Sequence, residues 1–219
     1  CRASREVVIR SKIELNNKKR YVFWVKSMQE LELAWEYYWF GERDRFGNEM
    51  TQERFCMRVA LTNNLEFLKW AREVKRCAWD KWTIISAASQ GDLDMVKYCV
   101  DNDCPMNARA CAYAAEEGHL DVLEYLYEHG CPWNRWTITQ AAFQGNLSMV
   151  KYCVENNCPM DAYACSCAAE GGHLAILKYL REHGCPWESK TCRCAHMRNH
   201  IDCLNYAIEQ RCPGYERFI

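Results

Sequence analysis

Cysteine is the residue type here with the most chemistry on offer: the chain of 219 residues holds 16 of them. Thiols can be disulfide partners, metal ligands or nucleophiles. The densest group is Cys165, Cys167, Cys192, Cys194, His196 and Cys203, where two Cys-x-Cys pairs one repeat apart suggest a zinc or redox-responsive site. The spacing argues against zinc. Ligand pairs are usually two to four residues apart, and residues two positions apart on a helix point about 200° away from each other. Other catalytic signatures do not appear: there is no glycine-rich phosphate loop, serine elbow or His-Glu-x-x-His helix. The sequence therefore predicts no catalytic centre, no cofactor and no metal.

The cysteines gain meaning from their rhythm. A Cys-Pro-Trp or Cys-Pro-Met marker falls at Cys104, Cys131, Cys158 and Cys185, with Cys212-Pro213 closing the series and Cys77-Ala78 opening it, each 27 residues after the last. A period in the range of about 20–50 residues marks a stacked repeat array. The rest of the unit repeats as well. Alanine pairs at Ala87-Ala88, Ala114-Ala115, Ala141-Ala142 and Ala168-Ala169 precede Gly91, Gly118, Gly145 and Gly172, and apolar stretches beginning Leu93, Leu120, Leu147 and Leu174 follow. A longer period of 54 overlies the first, since Met149 to Val154 copies Met95 to Val100. Cysteine held at one structural slot acts as a small buried hydrophobe, so the marker reads as packing and helix-stop chemistry.

The elements that carry these residues are two helices per unit. Asp80, Asn107, Asn134 and Asp161 stand where a side-chain oxygen can cap the first helix, glycine can take the left-handed conformation that ends it, and proline after the marker cysteine stops the second. Each pair has an apolar face that only a neighbouring pair can cover. The expectation is an all-α fold, an α-solenoid of stacked helix-turn-helix units. Its organisation reads as a basic arm over 1–17, a degenerate capping repeat over 18–49 with a projecting finger in 40–50, six repeats over 50–212 and a tail over 213–219. The earliest of the six fits a spacing of 28.

Net charge is -1, which gives no global pull toward nucleic acid or membrane. The first 26 residues nevertheless hold eight Lys or Arg against Glu6 and Glu14, a solvated arm or a patch for an acidic partner. No run of about 18 apolar residues occurs and no export signal is visible, so a membrane span is not expected. Repeated unstapled thiols point to a reducing, intracellular and chiefly cytoplasmic setting, with nucleus or organelle also open.

Gly118-His119-Leu120-Asp121-Val122-Leu123 and Gly172-His173-Leu174-Ala175-Ile176-Leu177 resemble the second half of an ankyrin repeat. Trp82-Thr83-Ile84-Ile85 stands where that family has Thr-Pro-Leu-His, and the unit is 27 residues in place of 33, with the six missing from the hairpin finger. The resemblance implies a structural place for His119 and His173. It also implies a non-enzymatic interaction module whose first helices line a concave face. The partner-binding residues would be Trp82, Ser86, Gln90, Arg109, Tyr113, Glu117, Trp136, Gln140, Phe143, Gln144, Tyr163, Glu170, Lys190 and Arg193, and the partner another protein. An alternative is a structural subunit of a larger assembly docked through the basic arm. Trp79, Trp133 and Trp187, which alternate with Met106 and Met160, read as packing between repeats.

Overall fold

The structure is a computed structural model that describes residues 25–38 and 51–219. The basic arm of 1–17 and the finger expected in 40–50 lie outside the described residues. An isolated helix α1 (Met28–Tyr38) precedes six helix pairs. These are α2 (Gln52–Ala60) with α3 (Leu65–Lys69), α4 (Lys81–Gln90) with α5 (Leu93–Asp101), and α6 (Ala108–Glu117) with α7 (Leu120–Glu128). They continue as α8 (Arg135–Gln144) with α9 (Leu147–Glu155), α10 (Ala162–Glu170) with α11 (Leu174–Glu182), and α12 (Ser189–Met197) with α13 (Ile201–Glu209). No strand occurs among the described residues, and none of their helices is long and apolar enough to cross a membrane.

Local sequence sets the ends of most of these helices. Asp80, Asn107, Asn134 and Asp161 accept the backbone N–H of the residue two further on at 2.9–3.0 Å, satisfying a donor that the helix leaves orphaned. Glu188 stands in the same slot before α12, yet its side chain makes no capping bond. First helices end at a left-handed residue, Gly91, Gly118, Gly145, Gly172 and finally Asn199. Second helices end likewise at Asp103, Gly130, Asn157, Gly184 and Arg211, after which the marker cysteine N–H bonds back five residues, as in Cys131 N to Leu126 O at 2.9 Å. The first pair departs from this by one residue. Its second helix runs on as a π turn over Trp70–Val74, and Cys77 N reaches Ala71 O, six residues back. That bulge absorbs the extra residue that makes this unit 28 long.

First helices pack against one another along the whole array, whereas successive second helices meet far less closely. The alanine pairs are completely buried at the first-helix contacts, and their small size permits that approach. Larger side chains, Met95, Leu123, Leu126, Met149, Ile176, Leu177 and Leu180, fill the second layer. Tight spacing on one side and wide spacing on the other bend the stack toward the first helices, which form its concave side. At the array's head, Leu31 and Ala34 of α1 are buried and Trp35 meets Phe55 and Trp70 edge-on at 5.2 and 6.3 Å. At the far end Gly214 turns the chain into a 3-10 helix (Tyr215–Phe218) whose Phe218 packs on His196, so the expected tail folds back onto the last repeat.

The period of 54 has a packing origin. Two buried slots, one per layer, are filled as Ile84 with Cys99, Cys111 with Leu126, Ile138 with Cys153, and Cys165 with Leu180. Each repeat thus exchanges which layer holds the large residue, a volume-conserving swap that close-packed interiors tolerate. The outermost pairs hold Cys56 with Ala71 and Cys192 with Ala207.

His119, His173 and His200 are second-helix N-cap residues that make no capping bond. They lie over the glycine of the preceding repeat: a Cβ on Gly91 would come 2.5 Å from the His119 ring. Gly130 has equally positive φ, +78°, but nothing within 4 Å. Gly91→Ala should therefore cost about 2–3 kcal/mol, strain plus displacement of the ring, and Gly130→Ala about 1 kcal/mol from strain alone. Equilibrium urea unfolding of the two variants checks the difference.

Candidate functional site

The capping residues fix more than helix ends. The N–H groups that they bind belong to Trp82, Arg109, Trp136 and Tyr163, the residues that open each first helix on the concave side. Their side chains form a ladder across repeats. Arg109 lies over the Trp82 ring at 5.2 Å, Trp136 meets Tyr163 edge-on at 5.7 Å, and the Lys190 ammonium sits 4.0 Å from the Tyr163 ring. Cation–π and edge-to-face contacts of this kind hold large side chains in place at little entropic cost.

Between α8 and α10 the ladder opens into a cleft of about 310 Å³, lined by Arg135, Trp136, Thr139, Asp161, Ala162, Tyr163 and Glu188. Arg135 bridges to Asp161 at 3.1 Å and lies over Trp136. Thr139 is buried, and its hydroxyl has no hydrogen-bond partner among the described residues. Glu188, left free by its failure to cap, adds a carboxylate at the rim. The cleft combines two aromatic walls with polar groups of both signs, the usual make-up of a side-chain receptor.

One helical turn deeper the column runs Ser86, Tyr113, Gln140, Cys167, Cys194. Tyr113 is 36% exposed and Gln140 half-buried, whereas Ser86 is only 6% exposed. Ser86 therefore offers no accessible side chain, because its short hydroxymethyl group ends beneath its larger neighbours. Burial pushes the Cys167 thiol up to about 11, and burial also raises Cys194. The next column brings Phe143, 41% exposed, and Glu170, whose carboxylate accepts a bond from Arg198 at 2.7 Å. Gln90, Glu117 and Gln144 are exposed at the helix ends. Arg193 stands in a third column. It occupies the slot of Ile85, Thr139 and Ser166, which are buried in earlier repeats and in Ser166 reach Thr191 of the next. In the last of the described helix pairs this slot is uncovered, and Arg193 is exposed. Met197, 74% exposed, was not anticipated: its slot holds Glu170, Phe143, Glu116 and Ser89 in the preceding units, a column with no consistent residue type.

The residues of the zinc reading disperse. The Cys165 and Cys192 thiols face Cys185 and Cys212, Cys203 is buried on α13, and the His196 ring packs on Phe218. Among the described residues no three His, Cys, Asp or Glu side chains gather as a metal site.

Residues 56–136 match the family model of ankyrin repeats, in three copies. Residues 56–136 thus carry ankyrin repeats, and the helix pairs beyond residue 136 repeat the same helix-turn-helix arrangement through α13. Repeats of this family are generally protein–protein interaction modules and typically non-enzymatic. No curated protein matches the chain.

Tryptophans at two neighbouring slots separate packing from surface. Trp133 stacks on Tyr127 at 3.9 Å and meets Tyr152 edge-on at 6.2 Å, bridging two second helices; Trp136 is 46% exposed. Trp133→Ala should lose about 2–3 kcal/mol and Trp136→Ala under about 1 kcal/mol, compared by the shift in urea midpoint.

Proposed function

We propose that this chain is a non-enzymatic binding scaffold that holds a segment of a partner protein along its concave face, centred on Trp136. One observation carries the reading. Apart from residues of the terminal repeats, the exposed large hydrophobic side chains among the described residues are Tyr113, Trp136 and Phe143, all on the first helices α6 and α8. Aromatic side chains with few rotatable bonds carry interface energy disproportionately, and a rigid stack loses little freedom on docking. Arg109, Tyr163 and Lys190 extend the face on either side, and the cleft beside Trp136 accepts one protruding side chain with Arg135 and Glu188 as polar contacts. Fifteen described cysteines are unbridged, which fits residence in a reducing intracellular compartment.

The double variant Trp136→Ala/Phe143→Ala should reduce partner affinity by at least about tenfold, roughly 1.4 kcal/mol, while Lys97→Ala on the second-helix side should not. Titration of a purified partner against each variant, with helical content confirmed by circular dichroism, measures this. Unchanged affinity in the double variant removes the concave face from consideration.

A further inference from the structure

The aromatic rings of the concave side differ in whether the chain supplies them with a cation. Arg109 lies over Trp82 at 5.2 Å, Arg135 over Trp136 at 5.6 Å, and Lys190 over Tyr163 at 4.0 Å. Phe143 has no such cation among the described residues, although it is 41% exposed. Its slot holds Glu116 one repeat earlier and Glu170 one repeat later, so each flanking first helix places a carboxylate level with the ring. Glu117, beside Glu116, is exposed as well.

The last repeat shows what can cover this slot. Arg198 reaches back to Glu170 of the preceding repeat and donates to its carboxylate at 2.7 Å. The same step from Phe143 arrives at Gly171, one repeat before Arg198, which offers no side chain. None fits there: a Cβ on Gly171 would stand 2.7 Å from the Phe143 carbonyl oxygen and 2.6 Å from His173 Nε2. The place that a guanidinium takes at Glu170 is therefore left open beside Phe143. The rim is also electronegative. The last turns of α6, α8 and α10 end along it without a basic residue, and Glu116, Glu117 and Glu170 add full charges to the partial negative charge of those helix ends. Carboxylates there cost the helices stability, since cations are the favoured residues at a helix C-terminus, and Glu116 and Glu117 have no ion-pair partner among the described residues to offset it.

We propose that Phe143, with Glu116, Glu117 and Glu170 around it, is the receptor for an arginine side chain of the partner segment. This rests on the concave face being the binding surface and adds what the bound segment must carry. A planar guanidinium stacks on an aromatic face and still directs its N–H donors outward from its edge. Neighbouring helices pack about 8–10 Å apart, so a guanidinium over the Phe143 ring has Glu116 and Glu117 to one side and Glu170 to the other, each within a side chain's reach. The chain's own concave cations, Arg109, Arg135 and Lys190, stand at the opposite, first-turn ends of their helices and leave this rim to the incoming charge.

The test uses the full chain with carbon-13-labelled phenylalanine rings, observed by nuclear magnetic resonance, the Phe143 signals being identified by their loss in Phe143→Leu. N-acetylarginine amide is titrated to about 50 mM, with N-acetylcitrulline amide, the same shape without the charge, as the control. Expected are a saturable shift of the Phe143 signals at least about threefold larger with the arginine amide, and a midpoint at least about threefold higher in Glu116→Gln/Glu117→Gln, a variant that relieves an unfavourable helix end and so keeps its fold. No shift at Phe143, equal shifts from the two amides, or an unchanged midpoint in the double variant would each overturn the proposal. So would Phe143 signals that move with salt in the free chain yet ignore the amide, which would assign the ring to the chain's own basic arm. The binding face is tested separately: it falls if Trp136→Ala/Phe143→Ala keeps its affinity for a purified partner, and it stands without this receptor if that affinity is lost while the amide leaves Phe143 unmoved.

Discussion

Each repeat closes on itself through one weak bond, the marker thiol donating to the carbonyl at the head of its own first helix. It recurs six times, from Cys77 to Gln52 O at 3.6 Å to Cys212 to Glu188 O at 3.4 Å. A single S–H bond of this length is a minor stabiliser, yet its position matters: it ties the last residues of a helix pair to the first and so sets the angle between the two layers. The first helices can then stack with alanine against alanine. Arg72 and Arg181 strengthen the same corner by reaching the Cys77 and Cys185 carbonyls and lying over Trp79 and Trp187 at 4.0 and 4.4 Å. Where the arginine slot holds Tyr127, stacking on Trp133 takes its place.

Much of this architecture was legible in the sequence because repetition multiplies weak signals. One Asx residue before a helix says little, but Asp80, Asn107, Asn134 and Asp161 at one phase identify a cap, and the glycines at one phase identify left-handed stops. What escaped was everything that depends on three dimensions or on a single repeat. The spacing of 28 in the first unit gives no hint that a π turn absorbs the extra residue. The period of 54 was visible, but its cause, an exchange of large and small residues between layers, needs both layers in view. Exposure also failed to follow from the helical wheel alone. Ser86 shares a slot with Tyr113 and is buried because a side chain that short cannot clear its neighbours, and Arg193 is exposed at a slot that is buried at Ile85, Thr139 and Ser166. The cleft beside Trp136 draws on three repeats at once, which no reading of a single unit could assemble.

The capping residues make the core and the binding face one mechanical unit. Asn134 accepts the Trp136 N–H through its side chain at 2.9 Å and the Cys158 thiol through its carbonyl at 3.5 Å. Asp161 does the same for Tyr163 and Cys185, at 3.0 and 3.3 Å, and also receives Arg135 in the cleft. A displacement of Cys158 or Cys185 therefore weakens a bond to the residue that orients Trp136 or Tyr163. Those two side chains form both aromatic walls of the cleft. Coupling between sites requires a physical element whose arrangement both can bias, and a backbone carbonyl and side-chain oxygen on one residue is the shortest such element available. The packing of the interior and the shape of the concave face are consequently linked through Asn134 and Asp161, the residues that head the two first helices flanking the cleft.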